Sequence, residues 1–129
     1  VILDVSGSTI SPATPVAFEQ AAVDYCSVVV MTSTQAVVAY RASSTNKSCV
    51  LNISTSTITP GTAFTHLSQN AIYLSAAKVS DTELLVTSRN SSNAFYQTLS
   101  VANSLITTGP VKILNTLQLW GKRQKDTHK

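Results

Sequence analysis

The chain has 129 residues, of which 43% are hydrophobic and only 12% charged, about half the charged share usual in soluble domains. That length is expected to form one domain, 1–129, and its apolar content excludes a disordered chain. The formal charge of +3 sits wholly in residues 122–129, leaving a body with five basic and five acidic residues, which excludes a strongly basic nucleic-acid binder.

In chain order, Val1–Val5 is strand-like, and Pro12 and Pro15 interrupt the segment after it. Residues 15–24 can be drawn as a short helix or as an extended segment. Ser27–Thr34, Gln35–Ser43 and Ser48–Thr57 are β-branched, Ser/Thr-rich runs without helix punctuation, and each predicts a strand. In the third run Cys49, Leu51 and Ile53 point one way and Ser48, Asn52, Ser54 and Ser56 the other, the period of a sheet with one buried face. Residues 43–47 form a polar hairpin turn between the last two strands. Pro60-Gly61 ends the third run and opens a loop toward Gln69; Ala71–Ala77 fits a strand or a helix.

Thr82–Thr87 is a further strand. Ser91-Ser92-Asn93 then offers N-cap oxygens, and Phe95, Leu99, Ala102, Leu105 and Ile106 fall at helical spacings, which predicts a helix over 94–106. Gly109-Pro110 stops it. Val111, Leu114, Leu117 and Trp120 predict a second helix, with a strand as the alternative. No internal repeat, linker or second domain is visible.

Ser and Thr supply 35 of the 129 residues, so the surface draws its polarity from hydroxyls. No apolar run approaches the roughly 18 residues of a membrane span, and no signal peptide is visible. Cys26 and Cys49 allow one disulfide, with buried free thiols the favoured state. His66 and His128 have no Cys or carboxylate at ligand spacing, and no phosphate loop or nucleophile elbow occurs, so neither an enzyme nor a bound cofactor is expected.

Two constellations compete for the function. Asp4-Val-Ser-Gly-Ser8 follows an apolar run and resembles the Asp-x-Ser-x-Ser motif of von Willebrand factor A domains. That resemblance implies a Mg²⁺-dependent protein-interaction module, with Asp4, Ser6, Ser8 and, from Gly61-Thr62, the Thr62 hydroxyl around the ion. Where that family has a further Asp, this chain has Ser88.

The second constellation is an order of elements: two N-terminal extended segments, three adjacent strands, a loop, a strand and two helices broken by Gly-Pro. With the stretches Thr14–Phe18, Ala39–Lys47 and Thr87–Phe95, it resembles the coat proteins of single-stranded RNA bacteriophages of the levivirus type. The resemblance implies an α+β fold, an antiparallel sheet with an N-terminal hairpin and two C-terminal helices. Two subunits would join edge to edge as an intertwined dimer, burying Phe95, Leu99, Ala102 and Ile106 on a helix laid over the partner's sheet. Dimers would build an icosahedral shell around single-stranded RNA, assembled in a bacterial cytoplasm and found in the virion, without a membrane. Some members also bind an RNA hairpin as a translational repressor. Arg41 matches the family's basic residue before the turn, and strand parity adds Lys47, Asn52, Ser54, Thr87 and Arg89 as RNA contacts. The basic tail 122–129 would add phosphate contacts or stay solvated.

Overall fold

The computed structural model describes residues 1–114, and every regular element among them is a strand. A hairpin comes first, β1 (Leu3–Ser6) with β2 (Thr9–Pro12). Next is the first sheet: β3 (Val23–Thr32), β4 (Gln35–Ala42), β5 (Thr45–Ile53), β6 (Ile58–Pro60) and β7 (Phe64–Leu67). The second sheet holds β8 (Ile72–Ser80), β9 (Glu83–Arg89), β10 (Ala94–Ala102), β11 (Leu105–Thr108) and β12 (Lys112–Leu114). Each sheet is an antiparallel meander in chain order. Its fourth strand is interrupted: β6 and β7 pair with the two ends of β5, and β11 and β12 with the two ends of β10. Pro60-Gly61 and Gly109-Pro110 mark the interruptions, because proline cannot donate to the ladder.

The C-terminal helices expected from the spacing are strands. Along β10, Phe95, Gln97, Leu99 and Val101 are buried, while Thr98 and Ala102 are exposed, which is a period of two. Phe95, Leu99 and Ile106 are therefore buried as expected, but in two adjacent strands, and Ala102 faces solvent. The helical stripe missed a buried polar residue, Gln97, whose amide donates to the Gly109 carbonyl at 3.0 Å. Ser91-Ser92-Asn93 makes a turn in place of an N-cap: Asn90 Oδ1 accepts from the backbone N–H groups of Ser92 and Asn93. Of the second helix, Val111–Leu114 is described and extended; Leu117, Trp120, the tail 122–129 and His128 lie outside the described residues. The α+β class falls with these helices, and with it the dimer in which they cross a partner's sheet. The N-terminal hairpin pairs β1 with β2, and residues 15–20 belong to no strand.

The two sheets are one unit written twice, 48 residues apart, a repeat that the sequence did not reveal by inspection. Ala13, Gly61 and Gly109 each donate a backbone N–H to the carbonyl eleven residues before: Ile2 at 2.9 Å, Val50 at 2.7 Å and Thr98 at 3.0 Å. Bulges fall between Asp24 and Ser27 in β3 and between Ile72 and Ser75 in β8. At each, a tyrosine takes a left-handed backbone, Tyr25 at φ 50° and Tyr73 at φ 55°. Leu3, Leu51 and Leu99 recur with Ser8, Ser56 and Ser104 and with Ile10, Ile58 and Ile106. By the same offset the β1–β2 hairpin matches the β10–β11 pair of strands. Its turn uses Gly7 at φ 58° where the third copy uses Asn103 at φ 57°.

The sheets stack face to face over one apolar core. Val29, Met31, Val37, Ala39 and Val50 of the first meet Leu74, Leu84, Val86, Leu99, Val101 and Ile106 of the second. At one end Gln35 donates to the Asn103 carbonyl at 2.7 Å, and Asn52 donates to Ser104 Oγ at 3.0 Å, tying the sheets together. Leu99→Ala should cost about 2–5 kcal/mol in urea unfolding, the range for emptying a packed core position. Ala102→Lys should change stability by less than about 0.5 kcal/mol, as at an ordinary surface site. A helix stripe would instead make the lysine costly.

Candidate functional site

At the opposite end of the stack, the start of the innermost strand and the end of its neighbour converge in each sheet. In the first, Arg41 on β4 lies across the strand from Asp24 on β3. Its Nε donates to one Asp24 oxygen at 2.7 Å and its Nη2 binds the other, a bidentate pair. Arg41 Nη1 donates to Asn70 Oδ1 at 2.9 Å, and its guanidinium carbon lies 5.0 Å from the Tyr25 ring centroid. In the second sheet Arg89 is across from Ile72 and sits 4.9 Å from the Tyr73 centroid. Tyr25 and Tyr73 touch at 5.4 Å. The result is a ladder, Arg41–Tyr25–Tyr73–Arg89, with one rung per unit.

The rungs differ in one decisive position. Asp24 of the first unit becomes Ile72 in the second, so Arg89 keeps its aromatic support and loses its anion. Among the described residues no carboxylate forms an ion pair with Arg89. Two open grooves of about 220 and 250 Å³ flank it, one edged by Asn90, Ser91 and Asn93, the other by Tyr73, Thr87 and Tyr96. The tyrosines hold left-handed φ values that cost non-glycine residues on the order of 1–3 kcal/mol and that cluster at binding sites.

The six residues expected to contact RNA do not converge. Arg41 is committed to Asp24, and Lys47 donates to Glu19 at 3.0 Å. Asn52 is part of the tie between the sheets at the far end, accepting from Gln35 at 3.0 Å as well as donating to Ser104. Ser54 closes its own hairpin turn against Thr57, whose carbonyl accepts the Ser54 N–H at 2.9 Å. Thr87 donates weakly to the Ser75 carbonyl at 3.4 Å and, with Arg89, shares the exposed rim of the second unit. Tyr25, Tyr73 and Ile72 were missed as site residues, because their role shows only when the two units are laid over each other.

The oxygen set of the metal reading is dispersed as well. Asp4 and Ser6 are exposed on β1 and Ser8 is in its turn, while Thr62 lies in the break between β6 and β7. Read with the repeat, Asp4-x-Ser6-x-Ser8 is one copy of a turn whose later copies read Asn52-x-Ser54-x-Ser56 and Ser100-x-Ala102-x-Ser104. Among the described residues no three His, Cys, Asp or Glu side chains gather. All strand pairings described are antiparallel, whereas the von Willebrand factor A architecture alternates helices with a parallel sheet. Cys26 is exposed and Cys49 buried, both as free thiols.

No family model, curated protein or solved structure matches this chain.

Two buried or half-buried ionisable groups contribute to the acid response, beside the exposed carboxyls of Asp24 and Asp81, which Arg41 and Lys78 hold below their ordinary value. Lys47, then the N–H groups of Ala21 and Gln20, hold the Glu19 carboxyl at about 2, well below its ordinary 4.5. Burial pushes the His66 imidazole below its ordinary value of 6.5. Both favour the deprotonated group in the folded chain, so the unfolded chain binds more protons as the pH falls. Stability is therefore expected to drop in two stages on acidification: below pH 6.5 from His66, then from 4.5 toward 2 from Glu19. Urea titrations across pH should show His66→Gln flattening the first stage and Glu19→Gln the second.

Proposed function

We propose that the chain is a binding scaffold of the repeat class, presenting Arg–Tyr rungs along one rim, with the rung at Arg89 taking an anionic group from a ligand. One observation carries this reading: the first unit pairs its arginine internally with Asp24, and the second has Ile72 in that place, which leaves Arg89 without a carboxylate among the described residues and beside two grooves. Arg89 is held over an aromatic ring, so less side-chain freedom is lost on pairing, and a guanidinium presents a planar fork to carboxylate or phosphate oxygens. Thr87, Asn90 and Ser91 around it supply neutral hydrogen-bonding groups for the rest of the ligand.

Assembly into a shell around RNA, the role implied by the coat-protein resemblance, drew on an element order that ends in two helices. With strands in those places, what still supports it is the neutral, hydroxyl-rich body. Titration of the isotopically labelled protein with inorganic phosphate, acetate and a single-stranded oligoribonucleotide separates the readings. The Arg89 Nε–H resonance should move saturably with phosphate and acetate while that of Arg41 stays fixed. Read on the backbone amides of Asn90 and Ser91, which line the same groove, Arg89→Gln should abolish the saturable shifts, a loss of roughly tenfold or more for a hydrogen bond to a charged group worth about 1.5–3 kcal/mol. Ile72→Asp should also abolish them, by supplying the internal carboxylate of the first unit. A response that survives in both variants would overturn the reading. Binding of the oligoribonucleotide alone, spread over Arg41 and Lys47 as well, would favour RNA packaging.

A further inference from the structure

Among the described residues the stack of two units is open at its end, and the repeat says what closes it. In the first sheet the face turned toward the second is fully covered: Met31, Val37, Ala39 and Val50 have no accessible surface. The matching residues of the second sheet lie 48 positions on, at Val79, Leu85, Thr87 and Thr98, on the face turned away from the first. There Val79 is 60% exposed, Thr87 and Thr98 are exposed, and Leu85 is half-buried. The contrast shows most plainly in the second strand of each unit. Ala36–Tyr40 is buried without interruption, whereas Leu84–Ser88 alternates buried and open. Such a continuous run marks a strand covered on both faces, and alternation marks one covered on a single face.

The opposite end carries the complement. On β3, Val29 and Met31 point into the shared core, and Val28 and Val30 point the other way, 61% and 64% exposed. Their counterparts one unit later are Ala76 and Lys78 of β8, which lie against the first sheet: Ala76 packs on its core, and Lys78 Nζ donates to the Met31 carbonyl. Val28 and Val30 are thus the open edge of the first unit's version of the surface with which the second unit docks; Ala36 and Val38, farther in on the same face, are already buried within the chain. The hairpin that precedes the first unit also leaves Leu3, Val5 and Ile10 exposed, where the third copy buries Leu99, Val101 and Ile106.

From these two faces we infer a heterologous, head-to-tail interface: the Val79 face of one molecule receives the Val28–Val30 edge of a second copy of this chain, repeating along β3 the part of the contact that β8 makes between its own two units. The occupant is fixed by the repeat, because the same apolar positions are covered by the same kind of sheet within the molecule. The body's balance of five basic and five acidic residues leaves little charge repulsion between copies. Head-to-tail contacts of this type close into rings where the rotation per unit allows it. Four-stranded meanders stacked around a centre are also how β-propellers limit their exposed edges. The inference rests on the repeat and does not depend on whether Arg89 takes an anion.

Sedimentation velocity across a concentration series tests it, with Val79→Asp and Val30→Asp as the variants. Both positions are exposed in the single chain, and circular dichroism confirms that each variant keeps the strand signal. Thr98→Lys and Val28→Asp stand in for either variant that does not. The unmodified chain should self-associate, and each variant alone should associate at least tenfold more weakly. An equimolar mixture should form dimers that do not grow, because Val79→Asp retains an intact Val30 face and Val30→Asp an intact Val79 face. A chain that stays monomeric throughout, variants that associate like the parent, or a mixture in which both variants remain monomeric would each overturn the proposal. A particle of megadalton mass untouched by the variants would also overturn it, in favour of a closed shell.

Discussion

Everything in this molecule depends on a sheet that is apolar on both faces. The first meander places Val29, Met31, Val37, Ala39 and Val50 on one side and Ala36, Val38, Tyr40, Ala42 and Cys49 on the other. No single sheet can bury two faces, and at roughly 25 cal/mol per Å² of apolar surface a face left in water forfeits much of the driving force for folding. The second meander covers one face, and Phe18 packs edge-on against Tyr40, with centroids 5.0 Å apart, on the other. Fold, low charge and rim geometry all derive from stacking copies of one unit. A surface built to touch its own copies has little use for charge.

Repetition also separates what the fold needs from what a single unit has been free to change. The backbone bonds at Ala13, Gly61 and Gly109, the bulges and the left-handed tyrosines recur. Side chains that serve the same place exchange chemistry. Glu19 and Lys47, joined by an ion pair, become Leu67 and Phe95, which pack in an apolar cluster. Cys49 Sγ and Gln97 Nε2 both donate to the carbonyl of the glycine at the break, Gly61 at 3.2 Å and Gly109 at 3.0 Å. Asp24 becomes Ile72, and Arg89, unlike Arg41, is exposed with no carboxylate partner among the described residues.

Much of the first sheet was legible in the sequence. Three β-branched runs and the polar turn between the last two gave β3, β4 and β5. The alternation of Cys49, Leu51 and Ile53 pointed to one buried face, whereas Ser48 and Val50 on the opposite face are fully buried too, and it is Val50 that meets the second sheet. Of the second sheet, Thr82–Thr87 gave β9, but β10 and β11 were not legible, because Phe95, Leu99, Ala102 and Ile106 satisfy a helical period by coincidence. The strand period runs through Gln97, and a polar residue hides it. The repeat was hidden for a related reason. What recurs is turn chemistry and small residues in a chain where Ser and Thr are 35 of 129, so copies look like background until backbone bonds and bulges line up. The candidate site was half legible: Arg41 and Arg89 stood out as charges, while Tyr25, Tyr73 and the Asp24-to-Ile72 exchange have meaning only across the units.

All of this requires residues 13–60 and 61–108 to be equivalent units sharing one apolar interface. Backbone and methyl NMR of the isotopically labelled chain reads that equivalence residue by residue. Extended carbon shifts are expected over 94–102 and 105–108, with a positive φ at both Tyr25 and Tyr73 and cross-sheet Overhauser contacts from the Met31 methyl to Leu84 and Val86. Helical shifts over 94–106, with no contact between Met31 and Leu84, would contradict it.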